Sequence, residues 1–324
     1  MTDNSIFEIP GLLSRLLVDH STSKPDVIHN VFWATSDYEG RGKGYQYIDE
    51  ITPEAISGNN ENAVIPRVLK RKSEQSARSK EMAEVFTPSW LCNRMNNSAD
   101  EQWFSVAGTF NKETVKNGVQ TWIVSKKKIS FPEGKTWMDY VRNTRLEITC
   151  GEAPFLVSRY DTTTGESIPV ARRIGILDRK LRVIKENTGT EEEWYEATLM
   201  AFKSVYGYEW QGDSLILARK ALLLTFVDYY KAQFKLDPDN DKLFEIAEVI
   251  SWNLWQMDGL KYVVPGSCHD EEEEIFGNIF GEPEVKTNPC PGCTSGNPKL
   301  HNGIKCRIMD WKKGSPVLFI DSMK

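Results

Sequence analysis

The chain has 324 residues, more than one small core needs, and 40% hydrophobic and 27% charged residues, the balance of an ordinary soluble globular protein. A formal net charge of -6 excludes a uniformly basic nucleic-acid binder, and no apolar run approaches the roughly 20 residues that span a bilayer. MTDNSIFEIPG at the N-terminus lacks the layout of a signal peptide, so a cytoplasmic protein without membrane association is expected.

Residues 7–20 place apolar side chains at near-helical spacing, and Ser36 to Asn62 is rich in Gly, Asn, Asp and Tyr, which reads as loops. From 66 to 97 the pattern is helical but interrupted at Thr87-Pro88. Proline is tolerated in a first turn, so Pro88 opens a helix carrying Trp90, Leu91 and Met95. Residues 1–100 therefore read as a mainly helical N-terminal region. Within it, Arg67, Lys70, Arg71, Lys72, Arg78 and Lys80 form a basic strip. Such a strip is first of all a solvated face, and a phosphate contact only if the protein works on nucleic acid.

Residues 103–131 contain β-like runs, Thr121 to Ser125 among them, and the lysine triplet Lys126 to Lys128. From Trp137 onward strands and helices alternate. Arg145 to Ile148 reads as a strand ending at Cys150-Gly151, 192–205 as a helix and Val205 to Glu209 as a second strand. A long helix over 213–233 and another over 242–251 follow, leading to the apolar segment Ser251 to Leu254. This repetition predicts an α/β domain with a mainly parallel sheet over residues 101–265. Ile174 to Leu177, followed by Asp178-Arg179-Lys180, reads as a strand end inside an insertion at 157–195. Trp252 and Trp255 read as core or pocket wall, and His20 and His29 have no partner visible in the sequence.

In a parallel α/β sheet ligands bind at the carboxyl ends of the strands. After the first strand stand Glu147, Cys150, Gly151, Glu152 and Phe155, where a glycine lets the backbone approach a ligand. Glu209 after the second strand suits the two hydroxyls of a ribose, and Trp210 beside it suits an adenine face. Asp258 after the third can accept from an adenine amino group. Each residue taken alone also has a structural explanation.

Taken in order, with Glu84-Val-Phe86-Thr87-Pro88 upstream and Ala218-Arg219 in the long helix, these motifs resemble the adenine-N6 DNA methyltransferases of restriction–modification systems. The family carries Glu-Val-Phe-Thr-Pro, then Asp-Pro-Ala-Cys-Gly-Ser-Gly-x-Phe-Leu, then Tyr-Gly-x-Glu. This sequence supplies Glu84–Pro88, Glu147–Leu156, Tyr206–Glu209 and Asn253–Asp258, so the resemblance covers residues 66–260. It implies a Rossmann-like, S-adenosylmethionine-dependent methyltransferase sheet. Phe86, Thr87, Pro88 and Trp210 would lie at the adenine, Glu209 at the ribose and Asp258 at the adenine amino group. Glu147, Cys150, Gly151, Glu152 and Phe155 would lie at the methionine end.

Two departures stand out. Cys150-Gly151-Glu152-Ala153-Pro154 replaces Cys-Gly-Ser-Gly, which sets Glu152 toward the cofactor's ammonium or sulfonium charge. The Asn/Asp-Pro-Pro-Tyr/Phe tetrapeptide that holds a flipped adenine does not occur. Asn288-Pro289-Cys290-Pro291 is a near miss inside a cysteine cluster, and the sequence runs out at Phe319–Lys324, where the next strand is expected. No residue of this chain is then catalytic. The expectation is a split enzyme, a heterodimer whose second subunit brings the Asn-Pro-Pro-Tyr-type loop to double-stranded DNA. The alternative is a degenerate DNA-binding or regulatory relative.

Residues 266–324 form a Cys/His-rich segment that also carries the acidic run Asp270 to Glu274. With no secretion signal the six cysteines do not suggest a disulfide framework. Cys290, Cys293, His301 and Cys306 are spaced for a small structural zinc site, with Cys268 and His269 as alternative fourth ligands.

Overall fold

The computed structural model describes residues 5–70, 72, 87–275 and 284–322. In chain order they form α1 (Leu12–Leu17), α2 (Ser89–Phe104), β1 (Asn111–Lys116), β2 (Val119–Val124), α3 (Trp137–Arg142) and β3 (Arg145–Glu147). Next come α4 (Ile176–Asn187), α5 (Glu191–Lys203), β4 (Val205–Glu209), α6 (Gly212–Phe234), α7 (Asn240–Asn253) and β5 (Leu254–Gln256). The remainder adds β6 (Glu271–Ile275), β7 (Glu284–Asn288), α8 (Pro291–Ser295), β8 (Arg307–Asp310), β9 (Ser315–Leu318) and α9 (Phe319–Ser322).

Strands β3, β4 and β5 make a three-stranded parallel sheet in sequence order, with Glu147 opposite Gly207 and Glu209 opposite Gln256. Parallel neighbours need crossovers, which α4–α5 and α6–α7 supply. Alternation along the strands sorts the two faces. Val205 and Leu254 enter the helical core with Phe202, Leu222 and Ile250. Tyr206, Tyr208 and Trp255 enter a second cluster, closed by Ile308 and Val317 of the C-terminal hairpin and Phe319 of α9. The result is a mixed α/β fold with helices on one face and a β-hairpin on the other.

Helix α6 is apolar on every side and sits at the centre, as its sequence LILARKALLLTF demands. It starts at Gly212 because a Cβ there would lie 2.0 Å from the Phe32 carbonyl oxygen, and the Gly212 N–H donates to Trp33 O at 2.9 Å. The N-terminal segment thus crosses the start of α6. Ile6, Leu12, Trp33 and Ile51 share one core with Leu181, Phe226 and Leu254.

Two sequence expectations are corrected here. The described residues before 70 are not mainly helical: α1 is six residues long, the other helical elements there are short 3-10 turns, and much of the remainder is turn or irregular chain with isolated bridges. Pro10-Gly11 holds its start, Gly11 at φ +82°, and the Val18–Asn30 bridge draws the chain into extended pairing after it. Asp178-Arg179-Lys180 is not a strand end but the first turn of α4. Asp178 accepts from the Gly175 N–H (3.1 Å), and the side chains of Leu177, Leu181 and Ile184 are buried. Pro88, by contrast, stands immediately before Ser89, where α2 begins. Among the described residues no helix is long and apolar enough to cross a membrane.

Candidate functional site

The carboxyl ends of β3 and β4 meet around the 148–154 loop. Glu147 ends β3, and its two carboxylate oxygens accept from the backbone N–H groups of Phe155 (3.3 Å) and Leu156 (3.1 Å). The loop between is tight, with positive φ at Thr149, Gly151 and Ala153. For the two residues that carry a Cβ this conformation costs on the order of 1 kcal/mol or more each. What holds it is β4: the Cys150 N–H donates to Tyr208 O (2.8 Å) and the Gly151 N–H donates to the Glu209 carboxylate (2.8 Å). Gly207 leaves room for this approach, since a Cβ there would sit 3.2 Å from Cys150 Sγ. The other Glu209 oxygen accepts from the N–H groups of Trp210 (2.8 Å) and Gln211 (3.2 Å).

Cys150 and Gly151 are therefore bonded to the end of β4, Gly151 directly to Glu209, while Glu147 is bonded to the far side of the same loop. Other residues singled out in the sequence are engaged elsewhere. Glu152 accepts from the Arg67 N–H (2.7 Å) and from the Tyr160 hydroxyl, tying segment 66–70 to the loop. Asp258 caps its own turn, accepting from Leu260 N–H (2.9 Å) and Lys261 N–H (3.1 Å). The Trp210 indole N–H donates to the Tyr47 hydroxyl at 3.2 Å. The Thr87 carbonyl accepts from the Thr162 hydroxyl (2.7 Å), and Asn96 of α2 donates to Phe155 O (3.0 Å), so the start of α2 lies along the segment that follows the loop. Phe86 lies outside the described residues. Of the basic strip, Arg67 is buried and Lys70 reaches Asp213 (3.2 Å), whereas Lys72 is exposed. Arg71, Arg78 and Lys80 lie outside the described residues.

Burial pushes the Glu147 carboxyl up to about 8, with the neighbouring Glu209 adding to the rise and the two backbone donors opposing it. Its folded value lies above its ordinary value of 4.5, so the stability it contributes is present below 4.5 and is lost as pH rises through about 8. Urea unfolding of wild type is expected to lose up to about 1.4 kcal/mol per pH unit across that window relative to Glu147→Gln. Parallel pH profiles of the two proteins would mean that Glu147 ionises as freely folded as unfolded.

A second cluster lies in the C-terminal segment. Cys268, Cys290, Cys293 and His301 bring their ligand atoms within 4.8 Å of one another. Cys268 Sγ lies 3.4 Å from Cys290 Sγ, 3.6 Å from Cys293 Sγ and 3.5 Å from His301 Nδ1. His301 Nδ1 is 3.6 Å from Cys290 Sγ and 3.7 Å from Cys293 Sγ. A tetrahedron with Zn–S arms of about 2.3 Å has edges of about 3.8 Å, shorter where nitrogen replaces sulfur. This Cys3His group can hold a metal such as zinc. Burial raises both thiols of the Cys268–Cys290 pair. The Asn302 and Cys293 N–H groups lower Cys290, the hydrogen bond the pair shares lowers Cys290 further and raises Cys268, and a bound metal would take both as thiolates. Gly292 is needed between Cys290 and Cys293, because a Cβ there would meet the His301 backbone N at 2.4 Å.

Cys306, expected as the fourth ligand, is corrected to Cys268. The Cys306 thiol is buried in the second apolar cluster and contacts Gln256 O at 3.4 Å. Cys268 follows the Pro265-Gly266 turn, with Gly266 at φ +70°, and that turn was the one sequence signal favouring it. No protein-family model, curated protein or solved structure matches this chain.

Proposed function

We propose that this chain is the S-adenosylmethionine-binding part of a DNA adenine-N6 methyltransferase, on a Rossmann-like sheet, with the base-holding loop and target recognition supplied by a partner. The observation that carries this reading is the order of the sheet. Three parallel strands adjacent in sequence order bring Glu147, Gly151 and Glu209 to one end, where such sheets bind ligands. Glu209 would take the ribose hydroxyls, and Glu147 with the Gly151 backbone would face the methionine end. The bound cofactor would supply an electrophilic methyl group; this chain's part is to bind and orient it. Partner addition is favoured by β3, a sheet edge on which Leu146 is 41% exposed and after which Ile148 is 64% exposed. In the Cys3His group we propose a structural zinc, since four protein ligands leave no open position.

One observation favours the non-catalytic alternative. The Glu209 carboxylate already accepts from Gly151, Trp210 and Gln211, and Glu152 is engaged by Arg67 and Tyr160. Two ribose hydroxyls on Glu209 would therefore displace at least one of these three backbone bonds. Calorimetric titration with S-adenosylmethionine decides between them. Saturable binding weakened about 100-fold in Glu209→Ala is expected, the value of two hydroxyls on one carboxylate. Binding unchanged by the substitution, or none at millimolar cofactor with or without a candidate partner, would rule out this pocket.

A further inference from the structure

A pocket of about 400 Å³ opens between α1, the 3-10 turns Ser5–Glu8, Pro53–Ala55 and Gly58–Asn60, and the first half of α6. Phe7, Leu13 and Ile56 give it apolar walls, and Lys220 of α6 reaches it from the centre of the fold. The Lys220 ammonium lies 4.9 Å from the centre of the Phe7 ring, and among the described residues it has no hydrogen bond and no ion pair. The side chain is half-buried, yet its nitrogen is not among the atoms shut off from water. The charged groups lining the same pocket are Glu8 and Glu61, and neither comes within ion-pair distance of it.

Lys180 of α4 shows how this fold otherwise keeps an inward-facing ammonium. It donates to Val141 O (3.0 Å), Asn143 O (2.5 Å) and Ser204 Oγ (2.5 Å). Lys220 has only a ring face, a weaker partner for the charged form than a carbonyl or carboxylate. Burial, with no carboxylate close enough to oppose it, pushes Lys220 down to about 8 from an ordinary 10.5. At pH 7 about a tenth of it is then the free amine, roughly 300 times the share of an ordinary lysine. A free amine at the wall of a small, partly apolar pocket is the setting in which lysines act as nucleophiles toward carbonyl groups.

We propose that Lys220 is a covalent attachment site for a small uncharged aldehyde or ketone seated in this pocket. Lys220 Nζ adds to the carbonyl carbon, and the oxygen then leaves as water with the two amine hydrogens, giving an imine. The apolar body of the compound lies against Phe7, Leu13 and Ile56, and Glu8 and Glu61 disfavour an anionic one. The pocket is separate from the strand-end residues, so this proposal and the cofactor reading can fail independently.

The test treats the full chain at pH 7 with 4-hydroxybenzaldehyde and cyanoborohydride, which fixes any imine as a stable amine, and locates modified lysines by peptide mass spectrometry. Acetic anhydride, which acylates any free amine, measures the reactivity of the nitrogen alone, and the exposed Lys112 and Lys116 serve as references. Lys220 is expected to react about tenfold or more faster than either reference with both reagents, the larger share of free amine outweighing its lower basicity. Its acylation should rise with a midpoint near pH 8. The preference for Lys220 should be greater with the aldehyde, and its rate should saturate, because only the aromatic body gains from the pocket walls. Ser14→Trp, on an exposed position of α1 that lines the pocket, should abolish the saturation and leave Lys112 unchanged. The comparison of lysines within the wild type stands even if that variant fails to fold. Lys220 reacting no faster than Lys112, equal preference with both reagents, or saturation unchanged by Ser14→Trp would each overturn the proposal.

Discussion

Cys268→Ser is expected to release the metal that Cys306→Ser retains. Purified wild type should carry a single equivalent of zinc by elemental analysis, and the two variants separate the ligand set drawn from spacing from the one the fold assembles. Cys268 touches all three other ligands at 3.4–3.6 Å, so losing it opens the tetrahedron on three edges. Structural zinc contributes on the order of 10 kcal/mol in small zinc-dependent peptides. Here much of that would be felt locally. The described residues of 263–306 are joined to the end of the sheet by contacts that include Asp258 N–H to Val263 O (2.8 Å) and Cys306 Sγ to Gln256 O (3.4 Å). Chelation should therefore raise hydrogen exchange across 263–306 while amides of α6 and β4 stay protected. A Cys268→Ser protein that keeps its zinc, or a Cys306→Ser protein that loses it, would sink this assignment.

The difference between those two cysteines shows what spacing could and could not tell. Cys290-Pro-Gly-Cys293 is a local device, a short turn that presents two thiols, and it was legible. The remaining ligands come from separate turns. Between Cys268 and Cys306 the choice depends on how the Val263–Lys305 bridge folds the segment back, a long-range fact with no periodicity. The same division holds in the body of the chain. The elements Val205–Glu209, Gly212–Phe234 and Asn240–Asn253 were legible because strand and helix periods are written over many residues. Ile174 to Leu177 was misread, since four apolar or small residues suit a strand or a buried first turn equally. Its capping by Asp178 involves Ser158, 20 residues away. The β1–β2 hairpin carried an unused signal: Asn117-Gly118, both at positive φ, is the dipeptide a two-residue hairpin prefers. The strand-end residues were placed near one another by topology alone, but their present partners were not legible. Nothing in Glu152 or Asp258 as a letter says that one would bind Arg67 N–H and the other cap its own turn.

Arg219→Met is expected to destabilise the fold by about 3–5 kcal/mol, the cost of removing one side of a buried, hydrogen-bonded charge. Arg219 in α6 is fully buried and donates to the carbonyls of Leu16 (2.5 Å), Val18 (3.0 Å), Ser251 (3.1 Å) and Leu254 (2.6 and 2.9 Å). Those acceptors come from the carboxyl ends of α1 and α7, where carbonyls lack intrahelical donors and carry partial negative charge. One guanidinium thus joins the N-terminal segment to the last strand of the sheet. Burial lowers its pKa to about 10, opposed by the nearby Asp19, so it stays charged at neutral pH. Methionine fills the volume and donates nothing, leaving four carbonyls to find water in an apolar core. Lysine keeps the charge but not the planar fork, so Arg219→Lys should fall between the two. The distinguishing readout is where the damage appears. Limited proteolysis of the methionine variant should cut first between α1 and the Trp33 crossing, before the sheet opens. A variant within about 1 kcal/mol of wild type in urea unfolding, with an unchanged proteolytic pattern, would show that these carbonyls are satisfied without Arg219 and that the N-terminal segment is held by packing alone.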